Sequence, residues 1–221
     1  MERHVSSRVL VTSGPTRAYV DRIRYFSNTS TGALGSEIVK ALIDRNIPVV
    51  HIYCTGSEIP KGYNRRLLES REIETVEDLI DAVKKVAKDG NINAIVHAMA
   101  VLDYIPESKL IVKKKSDEDS WNIRLIRTPK VIEIMRELMP DAYFVGFKLE
   151  AGVTEEELIE RAGVLLHKYF IDIVIANDLD RVDENCHEAL FVGGENQVLD
   201  RFSTKKEIAE KIAELVAGKF S

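Results

Sequence analysis

The stretch Ser27-Asn28-Thr29-Ser30-Thr31-Gly32-Ala33-Leu34-Gly35 gathers hydroxyls, an amide and two glycines directly before a helical period. A helix start of that kind offers unpaired N–H groups and partial positive charge, and glycine lets a phosphate approach the backbone. The plainer reading makes Ser30 or Thr31 an ordinary N-cap, and a G-x-x-G at a helix start leaves the two level. A second candidate is the run Val96-His97-Ala98-Met99-Ala100-Val101-Leu102-Asp103, whose small residues could let a ligand lie flat. Asp103, just past a strand end, either accepts hydrogen bonds from that ligand or begins a turn. His97 alternates inside the strand and reads as a packed core histidine rather than a base. Lys109 and Lys113-Lys114-Lys115, followed by Ser116-Asp117-Glu118-Asp119, make either a solvated charged hairpin or a mobile flap that brings cations onto phosphates.

Other chemistries lack their patterns. There is no G-x-x-x-x-G-K-[ST], no G-x-S-x-G and no H-E-x-x-H. None of the seven tyrosines precedes a lysine by four residues, and Ser30 stands where the first glycine of a dinucleotide fingerprint belongs, so redox chemistry is not supported. Cys54 and Cys186 show no metal-ligand spacing, which argues for a reducing compartment and no metal site; they read as ordinary buried thiols. A net charge of -5 gives no bulk attraction to nucleic acid. No apolar run approaches the roughly 20 residues that cross a bilayer, and the polar start Met1 to Arg8 does not read as a secretory signal. The expectation is a cytoplasmic protein with small-molecule partners.

The elements that must carry these loops follow from period and punctuation. Arg8 to Ser13 is a short buried strand stopped by Gly14-Pro15. Ala33 to Arg45 is a helix, Val49 to Cys54 a strand, Val76 to Lys88 a helix and Ala94 to Ala100 a strand. Beyond them come a strand at Trp121 to Arg127, a helix from Pro129 to about Leu138 with proline in its first turn, and a strand Tyr143 to Leu149. Helix Thr154 to Lys168 leads into strand Ile171 to Ala176. A hairpin pairs Ala189 to Val192 with Gln197 to Asp200, and Ser203 or Thr204 caps a last helix to about Val216. This alternation predicts one α/β domain over 1–221, a doubly wound and mostly parallel Rossmann-like sheet, with a flap insertion at about 104–127 and a C-terminal hairpin plus helix. In such sheets ligands bind beyond the carboxyl ends of the strands, here the loops after Ser13, Ala100 and Leu149.

Six separated segments, V-T-S-G-P-T-R from Val11, R-Y-F-S-N-T-S-T-G-A-L-G from Arg24, A-M-A-V-L-D-Y from Ala98, T-P-K-V-I from Thr128, V-G-F-K-L-E from Val145 and I-A-N-D from Ile175, stand in one order across nearly the whole chain. Together they resemble phosphopantothenate-cysteine ligase (phosphopantothenoylcysteine synthetase), an enzyme of coenzyme A assembly. The resemblance implies that the carboxylate of 4'-phosphopantothenate attacks the α-phosphate of CTP or ATP, and that cysteine's amine then displaces the nucleotide. It assigns Asn28 to the pantothenoyl part and the acyl-nucleotide, with Met99, Ala100 and Asp103 beside the pantothenoyl group. Ser30, Gly32 and Gly35 would line the phosphates, and Asp103, Pro129, Lys130, Val131, Ile132, Phe147 and Asn177 would surround the nucleotide. Mg²⁺ would come with the triphosphate, and a homodimer is implied.

The pattern is incomplete in two places. The flap lysine is Lys113 by distance from Thr128-Pro129 or Lys109 by its neighbours, and Lys113 is preferred. The helix that should carry two lysines one turn apart has Lys168 but Val164 in the other place, which would weaken triphosphate binding or shift the load to Lys148. A nucleotide- or pantetheine-binding sensor that has lost turnover is the alternative. Since 221 residues leave no room for a flavin-binding decarboxylase half, neither flavin nor decarboxylation is expected.

Overall fold

A computed structural model describes residues 7–63, 66–183 and 186–220, so the N-terminal polar stretch lies outside the described residues through position 6. The first half of the chain forms β1 (Arg8–Pro15), β2 (Arg17–Tyr19), β3 (Tyr25–Ser27), α1 (Ala33–Asp44), β4 (Val49–Cys54), β5 (Leu68–Ile73), α2 (Val76–Asp89) and β6 (Ile92–Ala100). The second half forms β7 (Tyr104–Pro106), β8 (Leu125–Arg127), α3 (Val131–Leu138), β9 (Tyr143–Glu150), α4 (Glu155–Tyr169), β10 (Ile173–Asp178), β11 (Ala189–Val192), β12 (Val198–Phe202) and α5 (Lys205–Ala217).

Eight strands make one sheet in the order β12-β11-β10-β9-β6-β1-β4-β5. From β10 to β5 every pairing is parallel, and the β11–β12 hairpin closes the other edge antiparallel. The expected doubly wound α/β sheet is therefore present. Parallel strands covered on both faces need apolar side chains in near-continuous runs, and β1 and β10 are buried along almost their whole length. Leu10, Ile95, Phe144 and Leu190 pack with α2, α3 and α4 on one face. Val11, Val96, Ile175 and Phe191 pack with α1 and α5 on the other. Among the described residues no helix is long and apolar enough to cross a membrane.

The structure departs from the sequence reading where few residues are buried. β5 carries Glu69, Arg71 and Glu72 with only Ile73 buried, so this edge strand has no apolar alternation to announce it. β2 and β3 form a small antiparallel ribbon inside what reads as a loop. The strand expected from Trp121 shrinks to Leu125–Arg127, the three residues that find partners in β7. Pro129 precedes the N-cap Lys130 instead of occupying the first turn of α3. These two ribbons, β2–β3 and β7–β8, stand outside the main sheet.

Three helices begin with complete capping boxes: Thr75 with Asp78, Thr154 with Glu157, and Thr204 with Glu207. Removing one hydroxyl strands a first-turn N–H. Thr154→Ala should lower stability by about 1 kcal/mol, a drop of roughly 2–4 °C in Tm, checked by thermal melting against the wild type.

Candidate active site

The order of the sheet reverses at β1: β4 and β5 lie on one side, β6, β9 and β10 on the other. Such a switch point opens a crevice past the carboxyl ends of β1 and β6. Their register runs Ser13 to Ala98, Gly14 to Met99 and Pro15 to Ala100. Beyond it, the first loop is stitched to the end of β6. Thr16 donates its N–H to the Ala100 carbonyl (3.2 Å), the Asn28 amide donates Nδ2–H to the same carbonyl (3.1 Å), and Thr16 Oγ1 accepts from Leu102 N–H (2.9 Å).

α1 starts differently from the Thr-capped helices. Its N-cap is Gly32 at φ 79°, and no side chain caps it, so Ser30 and Thr31 are not the N-cap residues. Their hydroxyls accept instead from Gly32 N–H (3.4 Å) and Ala33 N–H (3.3 Å), the two residues entering the helix. A Cβ on Gly35 would run into the Ser13 side chain, so the glycine is what lets this helix start sit against β1. The result is a first turn close to the crevice in which, among the described residues, the N–H groups of Leu34 and Gly35 have no side-chain partner.

A cavity of about 460 Å³ opens between these loops and the ends of β6 and β9. Ser30, Met99, Ala100 and Asp103 line its α1 and β6 side. Pro129, Lys130, Val131 and Ile132 line it from the start of α3, and Phe147 and Asn177 from β9 and β10. Asn28 stands at the rim through its bond to Ala100, and Gly32 and Gly35 sit beside Ser30 at the start of α1. Asp103 is engaged rather than free, since Lys130 Nζ lies 2.5 Å from its Oδ1. Asn177 is buried, and its Nδ2–H bonds the Glu188 carbonyl at 2.5 Å.

Two lysines lie outside the cavity lining. Lys113 is exposed on the flap and, among the described residues, has no ion pair. Lys168 is exposed on α4 beside Tyr169, 3.9 Å from Glu133, and Val164 on the same helix faces solvent. Lys148 does line the cavity, paired with Glu150 at 2.7 Å.

Histidines add what spacing alone does not disclose. His97 is half-buried and lines the cavity instead of sitting in the core; its Nδ1 is 2.6 Å from Thr12 Oγ1, and burial pushes its pKa down to about 4. Its place within the strand reads as a core position, but this end of β6 opens into the cavity. His187 also lines the cavity, its Nδ1 buried without a partner among the described residues. Burial, then Lys205, lowers its pKa. No motif marks His187 in sequence, because it arrives through an isolated bridge to Val182.

Residues 5–219 match the family of the DNA/pantothenate metabolism flavoprotein C-terminal domain. A coenzyme A biosynthesis bifunctional protein CoaBC from Thermococcus kodakarensis is 36% identical over 205 residues, which are 93% of this chain and 49% of that protein. The chain thus spans about half the length of that curated relative. The solved DNA/pantothenate metabolism flavoprotein of Streptococcus pneumoniae is 31% identical with a TM-score of 0.87, covering 96% of this chain and 99% of that one. A Cab2 mutant complexed with phosphopantothenate-cysteine shares the fold at 21% identity and a TM-score of 0.77, over 97% of this chain and 86% of that one. The site and fold define a Rossmann-like domain with its crevice at the switch point. The chain belongs to the DNA/pantothenate metabolism flavoprotein C-terminal domain family.

Below the crevice, Ser13 Oγ lies 2.7 Å from His51 Nε2, and His51 Nδ1 has no partner among the described residues. Burial lowers the His51 pKa from 6.5 to about 4. The unfolded imidazole takes up its proton near 6.5 and the native ring only near 4, so protonation favours the unfolded chain and stability falls as pH drops between those values. His51 alone should remove about 2 kcal/mol by pH 5. Urea midpoints at pH 7 and pH 5 should differ less in His51→Asn than in wild type; equal differences would assign the titration elsewhere.

Proposed function

We propose that this chain is a phosphopantothenate-cysteine ligase that uses CTP or ATP. A carboxylate oxygen of 4'-phosphopantothenate attacks the α-phosphorus, the bond to pyrophosphate breaks, and an acyl-nucleotide forms. Cysteine's amine then attacks the acyl carbon, the nucleoside monophosphate leaves, and the amine sheds its proton. Both steps are group transfers that depend on positioning and charge neutralisation, and neither changes an oxidation state, so the reading needs no flavin. Substrate chemistry is drawn from the Thermococcus kodakarensis relative, named for coenzyme A biosynthesis, and from the Cab2 complex with phosphopantothenate-cysteine.

The observation that carries the reading is the Asn28 amide bonded to Ala100 at the rim, beside a helix start without a side-chain cap and a cavity lined by Ser30. Asn28 would exchange that bond for the acyl-nucleotide, while Ser30, Gly32 and Gly35 hold phosphates at the start of α1. Met99, Ala100 and Asp103 would meet the pantothenoyl group; Asp103, Pro129 to Ile132, Phe147 and Asn177 would surround the nucleotide. Lys113 would neutralise the triphosphate, a role favoured over Lys109 because Lys109 Nζ rests 4.4 Å from the Tyr19 ring centre. Lys168 would add a cation from α4. Among the described residues no group of three His, Cys, Asp or Glu side chains is placed to hold a metal. Mg²⁺ would come with the triphosphate, held mainly by its phosphate oxygens, the donor set it prefers, and would offset their charge.

We read the whole chain as one cytoplasmic nucleotide-binding domain that works as a homodimer. Ile23, Phe26, Ile111, Val112 and Leu125 are exposed on the two ribbons and the flap, and Ile111 is 88% exposed. Side chains of that kind favour a second apolar surface. Val164 in place of a second cation favours one other reading, a sensor that binds ligand without turnover.

Pyrophosphate release measured with CTP and ATP in parallel tests both. Sustained release that needs 4'-phosphopantothenate and cysteine together is expected, whereas tight binding without release would leave the sensor. Asn28→Asp should release about one equivalent and then slow coupling by roughly 10²-fold or more, as expected for loss of one transition-state donor. Lys113→Gln should lose even the first equivalent. By sedimentation, Ile111→Asp should shift the protein from dimer toward monomer.

A further inference from the structure

Between Leu110 and Trp121 the flap has no strand of its own, yet it is tied to the first loop, some ninety positions earlier in the chain. Asp21 is fully buried there. Its Oδ1 accepts the N–H groups of Ile23 and Arg24, both at 2.9 Å, and its Oδ2 accepts the N–H of Lys114 at 3.1 Å. Arg24 completes the grip: Nη1 lies 3.5 Å from Asp21 Oδ2, and Nη2 donates to the Lys114 carbonyl at 3.3 Å. The backbone N–H and carbonyl of Lys114 are thus held by an acid–base pair three positions apart. Leu110 N–H adds a bond to the Val20 carbonyl at 2.9 Å, and the Arg24 guanidinium sits 5.5 Å from the ring centre of Trp121 across the flap.

We propose that Asp21, through its pair with Arg24, is a positioning residue that fixes the Lys114 peptide and so sets where the neighbouring Lys113 side chain starts. The proposal rests on the ligase reading, in which Lys113 neutralises the triphosphate. A lysine on a loose loop spreads its charge over many positions, and fixing its backbone removes that entropy before substrate arrives. The flap springs from Asp103 and returns at Pro129, both of which line the cavity, so an anchor near its middle orients the flap against that rim. Donation from Ile23, with Lys114 and Arg24, keeps the Asp21 carboxyl below the usual carboxylate range, consistent with a charged anchor in a buried place.

Trp121 is the single tryptophan of the chain and half-buried beside Arg24, which makes it a reporter that needs no turnover. In Asp21→Asn the carboxylate oxygen facing Lys114 becomes a donor, and in Lys114→Pro the N–H it accepts is lost together with the exposed side-chain pair to Glu118. Each should make Trp121 more accessible to acrylamide without substrate. Each should lower kcat for pyrophosphate release about ten-fold with little change in KM for 4'-phosphopantothenate, the split expected when a positioned cation is loosened and substrate binding is kept. Wild-type kcat, or unchanged quenching, in both variants would overturn the clamp. Should the wild type turn nothing over, the ligase reading fails, and the clamp then stands or falls on the quenching alone.

Discussion

Everything at the crevice depends on the carbonyl of Ala100. It ends β6, and it accepts hydrogen from both Thr16 and Asn28 across the switch point. A parallel sheet stops offering partners where its strands diverge, and backbone groups left there must find others. The first loop supplies them, so the chain between β1 and α1 is held over the strand ends instead of falling away. That single acceptor holds an amide side chain at the rim of the cavity that Ser30 and the small residues of β6 line.

The same economy governs the helices. Threonine side chains cap the first turns of α2, α4 and α5, whereas α1 enters through Gly32, which has no capping side chain, with Gly35 set against Ser13. A capping hydroxyl at α1 would add stability of the usual order but, on the proposed ligase reading, would fill the place of a phosphate oxygen. Local stability is given up where the sheet opens, and the buried faces on either side of it carry the fold.

Most of the architecture is legible in the sequence because buried parallel strands and amphipathic helices write their burial into apolar spacing. Val9 to Val11, Val49 to Ile52 and Ile173 to Ala176 are examples. The charged edge β5 and the short ribbon β2–β3 escape, since neither buries enough to leave a period. At the site, segments that end strands, such as Ala98 to Asp103, are visible from the element order, and the structure gathers them around the cavity. His97 and His187 belong to contacts made in three dimensions, by a face that opens and by an isolated bridge. So does the grip on Lys114: its two ends are too far apart in sequence for spacing to reveal.

The charged edge of the sheet has its own consequence. On β5, Arg71 is braced by Glu69 on the same strand and by Asp89 at the end of α2. A strand from another molecule aligning there would have to disturb those ion pairs and desolvate them, a cost that discourages edge-to-edge growth. That side of the sheet is therefore a poor template for fibre growth.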